Sequence, residues 1–180
     1  MDSDGSNIKC LTSNLDQIPS APMWASNNSG VYFNVREFGR SNVYFADLRG
    51  KVNKITNGNH MLTMNDLVGK NAVATWTDPS NPMDILYFNI QNSDKMRRLT
   101  NVNKDIFYNV EFGKVEEINY KSVDEKMIQG WIVKPPLFDS SKKYPLVLRI
   151  HGGPHSMYHV GFNYNFQLHA AQDQVVLYTN

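Results

Sequence analysis

Short apolar runs cut by polar turn residues dominate the first two thirds of the chain. Each run has the length of a β-strand, is rich in β-branched and aromatic residues, and is bounded by Asn, Gly, Asp or Pro. The clearest runs are VYFNV at 31–35, NVYFADL at 42–48, AVATW at 72–76 and DILYFNI at 84–90. None of them extends into a helical period, so the pattern predicts an all-β region.

An internal repeat links these runs. The run VYFADL at 43–48, followed by Lys54-Ile55-Thr56, is echoed by ILYFNI at 85–90, followed by Arg98-Leu99-Thr100. The offset is roughly 43 residues, within the period of about 40 to 50 residues, with four strands per unit, that is typical of β-propeller blades. A β-meander of another kind also looks periodic, so a β-sandwich stays the alternative. The repeat favours a partial propeller.

Turn residues strengthen the repeat. Polar turns at 27–30 and 66–70 occupy the same place in each unit, between its first and second strands. The stretch through Pro22 is weakly patterned and is expected to belong to an incomplete blade. About two complete blades and an incomplete one are therefore predicted.

The pattern changes after Phe112. Three strands are predicted at 117–121, 128–134 and 146–150, and a helix follows in which apolar residues recur at Phe162, Phe166 and Ala170, with Asn163 or Asn165 available as its N-cap. A second apolar strand occupies 174–179. Strand, loop, helix and strand in this order predict a βαβ unit with a parallel sheet. The change in pattern predicts two domains, 1–112 and 113–180.

Charge and cysteine content narrow the function classes. The chain has 180 residues with 18 basic and 17 acidic side chains, for a net charge of +1. These nearly balanced charges create no strong positive field that would attract a polyanion, so neither nucleic acid nor a membrane is expected as a partner. The single Cys10 cannot form an internal disulfide, and the N-terminal residues lack the blocks of a signal peptide. A cytoplasmic location is expected.

Three histidines at every fourth position raise the question of a zinc site. His151, His155 and His159 would share one face of a helix. However, that helix would contain Gly152-Gly153-Pro154, where each glycine costs about 1 kcal/mol and the proline about 3 kcal/mol. We therefore expect no metal at this ladder and no cofactor. His60 and His169 are expected to be ordinary surface or interface residues.

Gly152 and Gly153 suggest a different chemistry. They follow the apolar run 146–150, and ligands of parallel sheets bind at the carboxyl ends of strands. Glycine there brings backbone N–H groups close to a substrate. Such groups suit a developing oxyanion, as in the HGGG-type loop of α/β-hydrolases. A plain tight turn is the alternative interpretation.

The last third resembles the prolyl oligopeptidase family of serine peptidases, and its acylaminoacyl-peptidase and dipeptidyl-aminopeptidase-like branch in particular. The features that carry the resemblance are Gly130-Trp131 leading to Lys134-Pro135-Pro136, Lys142-Lys143-Tyr144-Pro145, His151-Gly152-Gly153-Pro154 followed by Met157-Tyr158, and Phe166-Gln167 with Ala170-Ala171-Gln172. The resemblance implies a partial β-propeller of antiparallel blades followed by the N-terminal part of an α/β-hydrolase sheet. It also implies hydrolysis of short peptides, with the propeller restricting access. By the same resemblance, the N–H of Gly153 is the oxyanion donor of this loop and Gly152 shapes its turn.

One departure from the family pattern limits the prediction. The nucleophile of an α/β-hydrolase sits in a G-x-S-x-G elbow, and the chain contains no such motif. Ser156 lacks the flanking glycines and follows the third strand of the domain. The chain is therefore expected to be an internal piece of a longer peptidase, without the Ser/Asp/His triad and inactive alone. The alternative is a non-catalytic β-propeller interaction module or a truncated pseudoenzyme.

Overall fold

The computed structural model describes residues 1–180, which form mostly β-sheet with few helices. The first sheet is open and contains eight strands, which are β1 (Ser20–Trp24), β2 (Gly30–Glu37), β3 (Arg40–Asp47), β4 (Val52–Lys54), β5 (Met61–Val68), β6 (Asn71–Thr77), β7 (Asp84–Asn89) and β8 (Asn92–Arg98). The second sheet is open and contains four, which are β9 (Val115–Lys121), β10 (Met127–Val133), β11 (Leu146–Ile150) and β12 (Val175–Thr179). The helices are α1 (Lys104–Phe107) and α2 (Tyr164–Ala171). Neither helix combines the length and the apolar character needed to cross a bilayer.

The chain divides into two compact units. The first contains residues 1–76 and 84–100, and the second contains residues 77–83 and 101–180. The predicted domain bounds, 1–112 and 113–180, stay a prediction.

The first unit is built from two groups of four strands. In the first group, β1 pairs with β2, β2 with β3, and β3 with β4, all antiparallel. In the second group, β5 to β8 are neighbours in chain order, and the β6–β7 and β7–β8 pairs are antiparallel. The two groups meet through one parallel bridge, Ser41 to Met61, and through hydrogen bonds between the Asn34 side chain and the backbone of Leu62 and Met64. The four runs with the clearest apolar pattern lie in β2, β3, β6 and β7, so those strand predictions are confirmed.

Several elements differ from the sequence prediction. The turn expected at 66–70 is wrong in part, because Asp66 to Val68 continue β5 and only Gly69 and Lys70 turn. Gly69 adopts a φ of +61°, which favours glycine. The all-β expectation for the region before Phe112 misses the single turn of α1. His60 is buried, with 8% of its surface exposed, which rules out the surface position.

The sequence repeat corresponds to a hydrogen-bond arrangement that occurs once in each group of strands, and we call it the threonine clasp. It is formed by Asn42, Val43 and Thr56 in the first group. In the second group it is formed by Asp84, Ile85 and Thr100. The Thr56 hydroxyl accepts the N–H of Val43 at 2.9 Å and donates to Asn42 Oδ1 at 3.0 Å. The Thr100 hydroxyl accepts the N–H of Ile85 at 2.9 Å and donates to Asp84 Oδ1 at 2.6 Å. In both groups, the clasp ties the end of the fourth strand to the third.

Loss of a clasp hydroxyl is expected to destabilise the first unit. Thr56 is 1% exposed, so Thr56→Val leaves the Val43 N–H buried without an acceptor, and the free energy of unfolding should fall by about 1 to 3 kcal/mol. Urea denaturation measures the change. Thr75→Val is the matched control, because the Thr75 hydroxyl makes only a 3.5 Å contact with the Thr63 carbonyl oxygen. Equal losses in the two variants would contradict the role of the clasp.

The second sheet has the strand order β11-β12-β10-β9. The β11 and β12 strands are parallel, whereas β10 is antiparallel to both β12 and β9. The predicted strand, loop, helix and parallel strand are therefore confirmed. The N-cap of α2 is Asn163, whose Oδ1 accepts the N–H of Phe166 at 3.1 Å. One sheet face packs against the helix in a core of seven buried residues, Trp131, Val133, Val160, Phe166, Ala170, Val176 and Tyr178.

Candidate functional site

The candidate site is the segment 151–156, which begins the loop 151–163 between β11 and α2 in the second unit. The loop contains no helix, so His151, His155 and His159 do not share a helical face. No group of three or more His, Cys, Asp or Glu side chains in the chain is arranged to hold a metal ion.

Gly152 and Gly153 follow β11 after one intervening residue, His151, and are exposed. The N–H groups of both glycines donate no hydrogen bond within the chain, and the backbone bond of this turn instead joins the N–H of Ser156 to the Pro154 carbonyl oxygen at 2.9 Å. Gly153 has a φ of +135° and precedes a cis peptide bond to Pro154. A Cβ atom on Gly153 would lie 3.1 Å from the backbone nitrogen of Ser156, whereas a Cβ on Gly152 would meet nothing within 4 Å. The assignment of these glycines to an oxyanion hole stays a prediction.

The rest of the loop is fixed by packing and by long-range hydrogen bonds, one of which is made by Phe162. Val160 is 1% exposed and belongs to the core beneath α2. The N–H of Phe162 donates to the Thr77 hydroxyl at 3.0 Å. The Phe162 ring also packs against Phe107 and Phe112, with centroids 5.8 and 5.0 Å away. The second half of the loop is therefore anchored independently of the glycines.

An aromatic cluster lies beside the glycines. The His151 ring packs edge-on against Tyr158, with centroids 5.5 Å apart, and Tyr158 packs against Tyr178 at 5.3 Å. Burial raises the pKa of the Tyr178 hydroxyl, so this phenol stays protonated and does not act as a base near neutral pH. Arg149 lies over the Phe166 ring at 5.9 Å.

The loop supplies backbone N–H donors, and its serine has no activating partner. Ser156 is exposed and makes no side-chain hydrogen bond to a histidine or a carboxylate, which an activated serine requires. Two adjacent N–H groups without partners at the end of a parallel strand can stabilise negative charge on a substrate oxygen. That is the chemistry that this arrangement supports.

A cavity of about 440 Å³ lies in the first unit. Its walls include Trp76, Leu86 and Met96, together with His60 and Arg98. The Arg98 guanidinium is held by Asp84, with Nε 2.9 Å from Oδ2. The cavity wall thus combines apolar side chains with polar and charged ones, which also include Asn57, Ser93 and Asp94.

Comparisons with known proteins identify the class. No family model matches the chain. Peptidase YuxL of Bacillus subtilis is 29% identical over 161 residues, which are 88% of this chain and 24% of that protein. Dipeptidyl-peptidase 5 of Porphyromonas gingivalis is 29% identical over 170 residues, 93% of this chain and 24% of that protein. A solved acylaminoacyl peptidase in complex with Z-Gly-Gly-Phe-chloromethyl ketone superposes with a TM-score of 0.82 and 26% identity, over 97% of this chain and 27% of that one.

The similarity covers nearly the whole chain, and every one of these proteins is a peptidase. These similarities support a peptidase of the prolyl oligopeptidase family, as the sequence resemblance predicts. The chain spans about a quarter of the length of the relatives it matches.

Two residues that hold the loop carry no sequence signal. Thr77 and Asn180 are 85 and 22 positions from the loop residues they contact. Threonine at a strand end and asparagine after a strand are common, so neither residue type indicates a partner so far along the chain.

Proposed function

We propose that the chain is part of a serine peptidase that hydrolyses short peptides by acyl transfer, and that the N–H of Gly153 is one of the donors of its oxyanion hole. The observation that carries the proposal is the pair of N–H groups without partners at the carboxyl end of β11, in a chain whose relatives are peptidases. Donors fixed before the reaction stabilise the oxyanion without reorganising in the transition state.

The architecture supports the proposal. Two groups of four strands, closed by equivalent threonine clasps, are consistent with consecutive β-propeller blades. The second sheet combines a parallel pair, a crossover helix and an antiparallel neighbour, which is consistent with the beginning of an α/β-hydrolase domain. We place these two parts at 1–112 and 113–180.

The role that we assign to this chain is electrostatic stabilisation of the negative charge that develops on the substrate oxygen. In a serine peptidase, serine attacks the carbonyl carbon, histidine takes the serine proton and returns it to the leaving amine, and aspartate orients the histidine. We propose that those three residues lie in the remaining length that the relatives have and this chain does not span. The Gly153 N–H then donates to the carbonyl oxygen as it becomes negative. The substrate class is supported by the peptide-like ligand named for the solved relative.

The test is an activity assay on the whole protein that contains this chain. We expect it to hydrolyse aminoacyl, dipeptidyl or acylaminoacyl p-nitroanilides and to be inactivated by a fluorophosphonate that labels reactive serines. Absence of both hydrolysis and labelling would refute the proposal.

The chain alone is expected to be inactive, because the loop supplies no nucleophile. Purified chain 1–180 and its Ser156→Ala variant should both leave the p-nitroanilides uncleaved. Cleavage by both would show a nucleophile elsewhere in the chain, and cleavage by the unsubstituted chain only would assign that role to Ser156. Either result would contradict the electrostatic role.

A further inference from the structure

Asn180 follows β12 and forms a two-way contact with the loop. Its side-chain Oδ1 accepts the N–H of Tyr158 at 2.6 Å, and its Nδ2 donates to the carbonyl oxygen of Tyr158 at 3.2 Å. The backbone N–H of Asn180 donates to the Gln129 carbonyl oxygen at 2.9 Å. The Asn180 carboxamide thus bonds both the N–H and the carbonyl oxygen of Tyr158, and the Asn180 backbone is held by β10.

The part of the loop that carries the glycines has no comparable anchor. Between His151 and Met157, the hydrogen bonds are local, and they join Ser156 to Pro154 and His151 to Gly152. Val160 and Phe162 are fixed separately, but they lie beyond Tyr158 in the chain. The segment 151–157, which we call the glycine lobe, is therefore held at β11 on one side and at Tyr158 on the other.

The Tyr158 ring extends this contact toward the glycines. It packs edge-on against the His151 ring at 5.5 Å and against Tyr178 and Phe166 at 5.3 and 6.1 Å. His151, the first residue of the glycine lobe, therefore contacts Tyr158, the residue that follows the lobe. A shift of the Tyr158 backbone would move both ends of the lobe, and with them the N–H groups of Gly152 and Gly153.

We propose that Asn180 is a positioning residue for the oxyanion donor, and that its carboxamide fixes the glycine lobe through the backbone of Tyr158. This inference rests on the function proposed above. Only a side chain with one donor and one acceptor at this length makes both hydrogen bonds. A displacement of about 1 Å in a positioned group can cost about 100-fold in rate, so a residue without contact to substrate can control turnover.

The first experiment measures steady-state kinetics of the whole peptidase and its Asn180→Ala variant with a peptide p-nitroanilide. We expect kcat to fall by about 10- to 100-fold while KM stays within about twofold, because an oxyanion donor acts in the transition state and not on bound substrate. Asn163→Ala is the matched control, since it removes another asparagine that accepts one backbone N–H. It should lower thermal stability and leave kcat unchanged.

The second experiment uses Asn180→Asp. At neutral pH, the carboxylate still accepts the Tyr158 N–H but repels the Tyr158 carbonyl oxygen. Protonation of the carboxylate restores a donor. The ratio of N180D to wild-type kcat should therefore rise as pH is lowered toward the ordinary aspartate pKa of about 3.9, whereas a purely structural loss would leave the ratio flat.

The third measurement separates this inference from the proposed function. Hydrogen exchange at the Tyr158 amide, which loses its acceptor, should accelerate about tenfold or more in N180A and stay unchanged in N163A, whether or not the protein is a peptidase. An inactive wild type with faster exchange in N180A would refute the proposed function and leave intact the conclusion that Asn180 fixes Tyr158. Unchanged exchange, a flat N180D ratio, or equal kcat losses in N180A and N163A would overturn the role of Asn180.

Discussion

Asp84→Ala is expected to lower the free energy of unfolding by about 3 kcal/mol, at the lower end of the range for breaking a buried ion pair. The Asp84 side chain has no exposed surface, while that of Arg98 is 31% exposed. The carboxylate accepts from Arg98 Nε at 2.9 Å and from the Thr100 hydroxyl at 2.6 Å. Alanine leaves both donors without this acceptor. Water can reach Arg98 in part, which limits the loss.

Asp84→Asn is the matched variant, and the chain itself suggests it. In the first group of strands, Asn42 occupies the equivalent position and accepts from the Thr56 hydroxyl at 3.0 Å. An amide at position 84 should therefore keep the threonine clasp and lose only the charge pair, for a cost of about 1 kcal/mol. Urea denaturation of both variants measures the difference. If D84A and D84N lose the same stability, the clasp does not contribute.

Gly153→Ala is expected to lower kcat of the whole peptidase by about 100-fold or more, the effect of removing one oxyanion donor. With φ at +135°, alanine is strained at this position. Its Cβ would also lie 3.1 Å from the Ser156 nitrogen and 3.2 Å from the His155 nitrogen. The backbone must move to relieve both conflicts, and the N–H then leaves the position of the oxyanion.

Two glycine variants separate this effect from general strain. Gly69→Ala changes another glycine of positive φ, at +61° and with open space around it, so it should cost some stability without changing kcat. Gly152→Ala adds a methyl group that meets no atom within 4 Å, and its kcat should fall less than that of G153A. Steady-state kinetics with one p-nitroanilide substrate compare the three. An unaffected kcat in G153A would argue against an oxyanion role for this amide.

The strands that the sequence identified are those with a buried apolar face. The runs in β2, β3, β6 and β7 supply core residues such as Val35, Val43, Ala74 and Phe88, and burial produces the alternation on which the prediction depends. By contrast, β8 has the sequence NSDKMRR, with no apolar alternation. It is a strand because β7 supplies its hydrogen-bond partners. A prediction from local pattern has no access to that partner.

The features of the candidate site also fall into those that the sequence predicts and those that it does not. The loop and the left-handed conformation of Gly153 follow from glycine and proline chemistry, and the parallel pairing of β11 with β12 follows from the helix between them. The free N–H groups of the glycines and the contact of Tyr158 with Asn180 depend on how distant segments pack.

The sequence by itself determined the β-rich first part, the repeat with its two threonines, a helix capped by Asn163 or Asn165 and the family resemblance, because these reside in residue types and local spacing. Only the tertiary structure decided that the threonines close equivalent clasps, that the polar β8 is a strand and that Asn180 holds Tyr158. The physical reason is that a hydrogen bond between distant segments depends on where the chain places both partners, and neither partner's type encodes that distance.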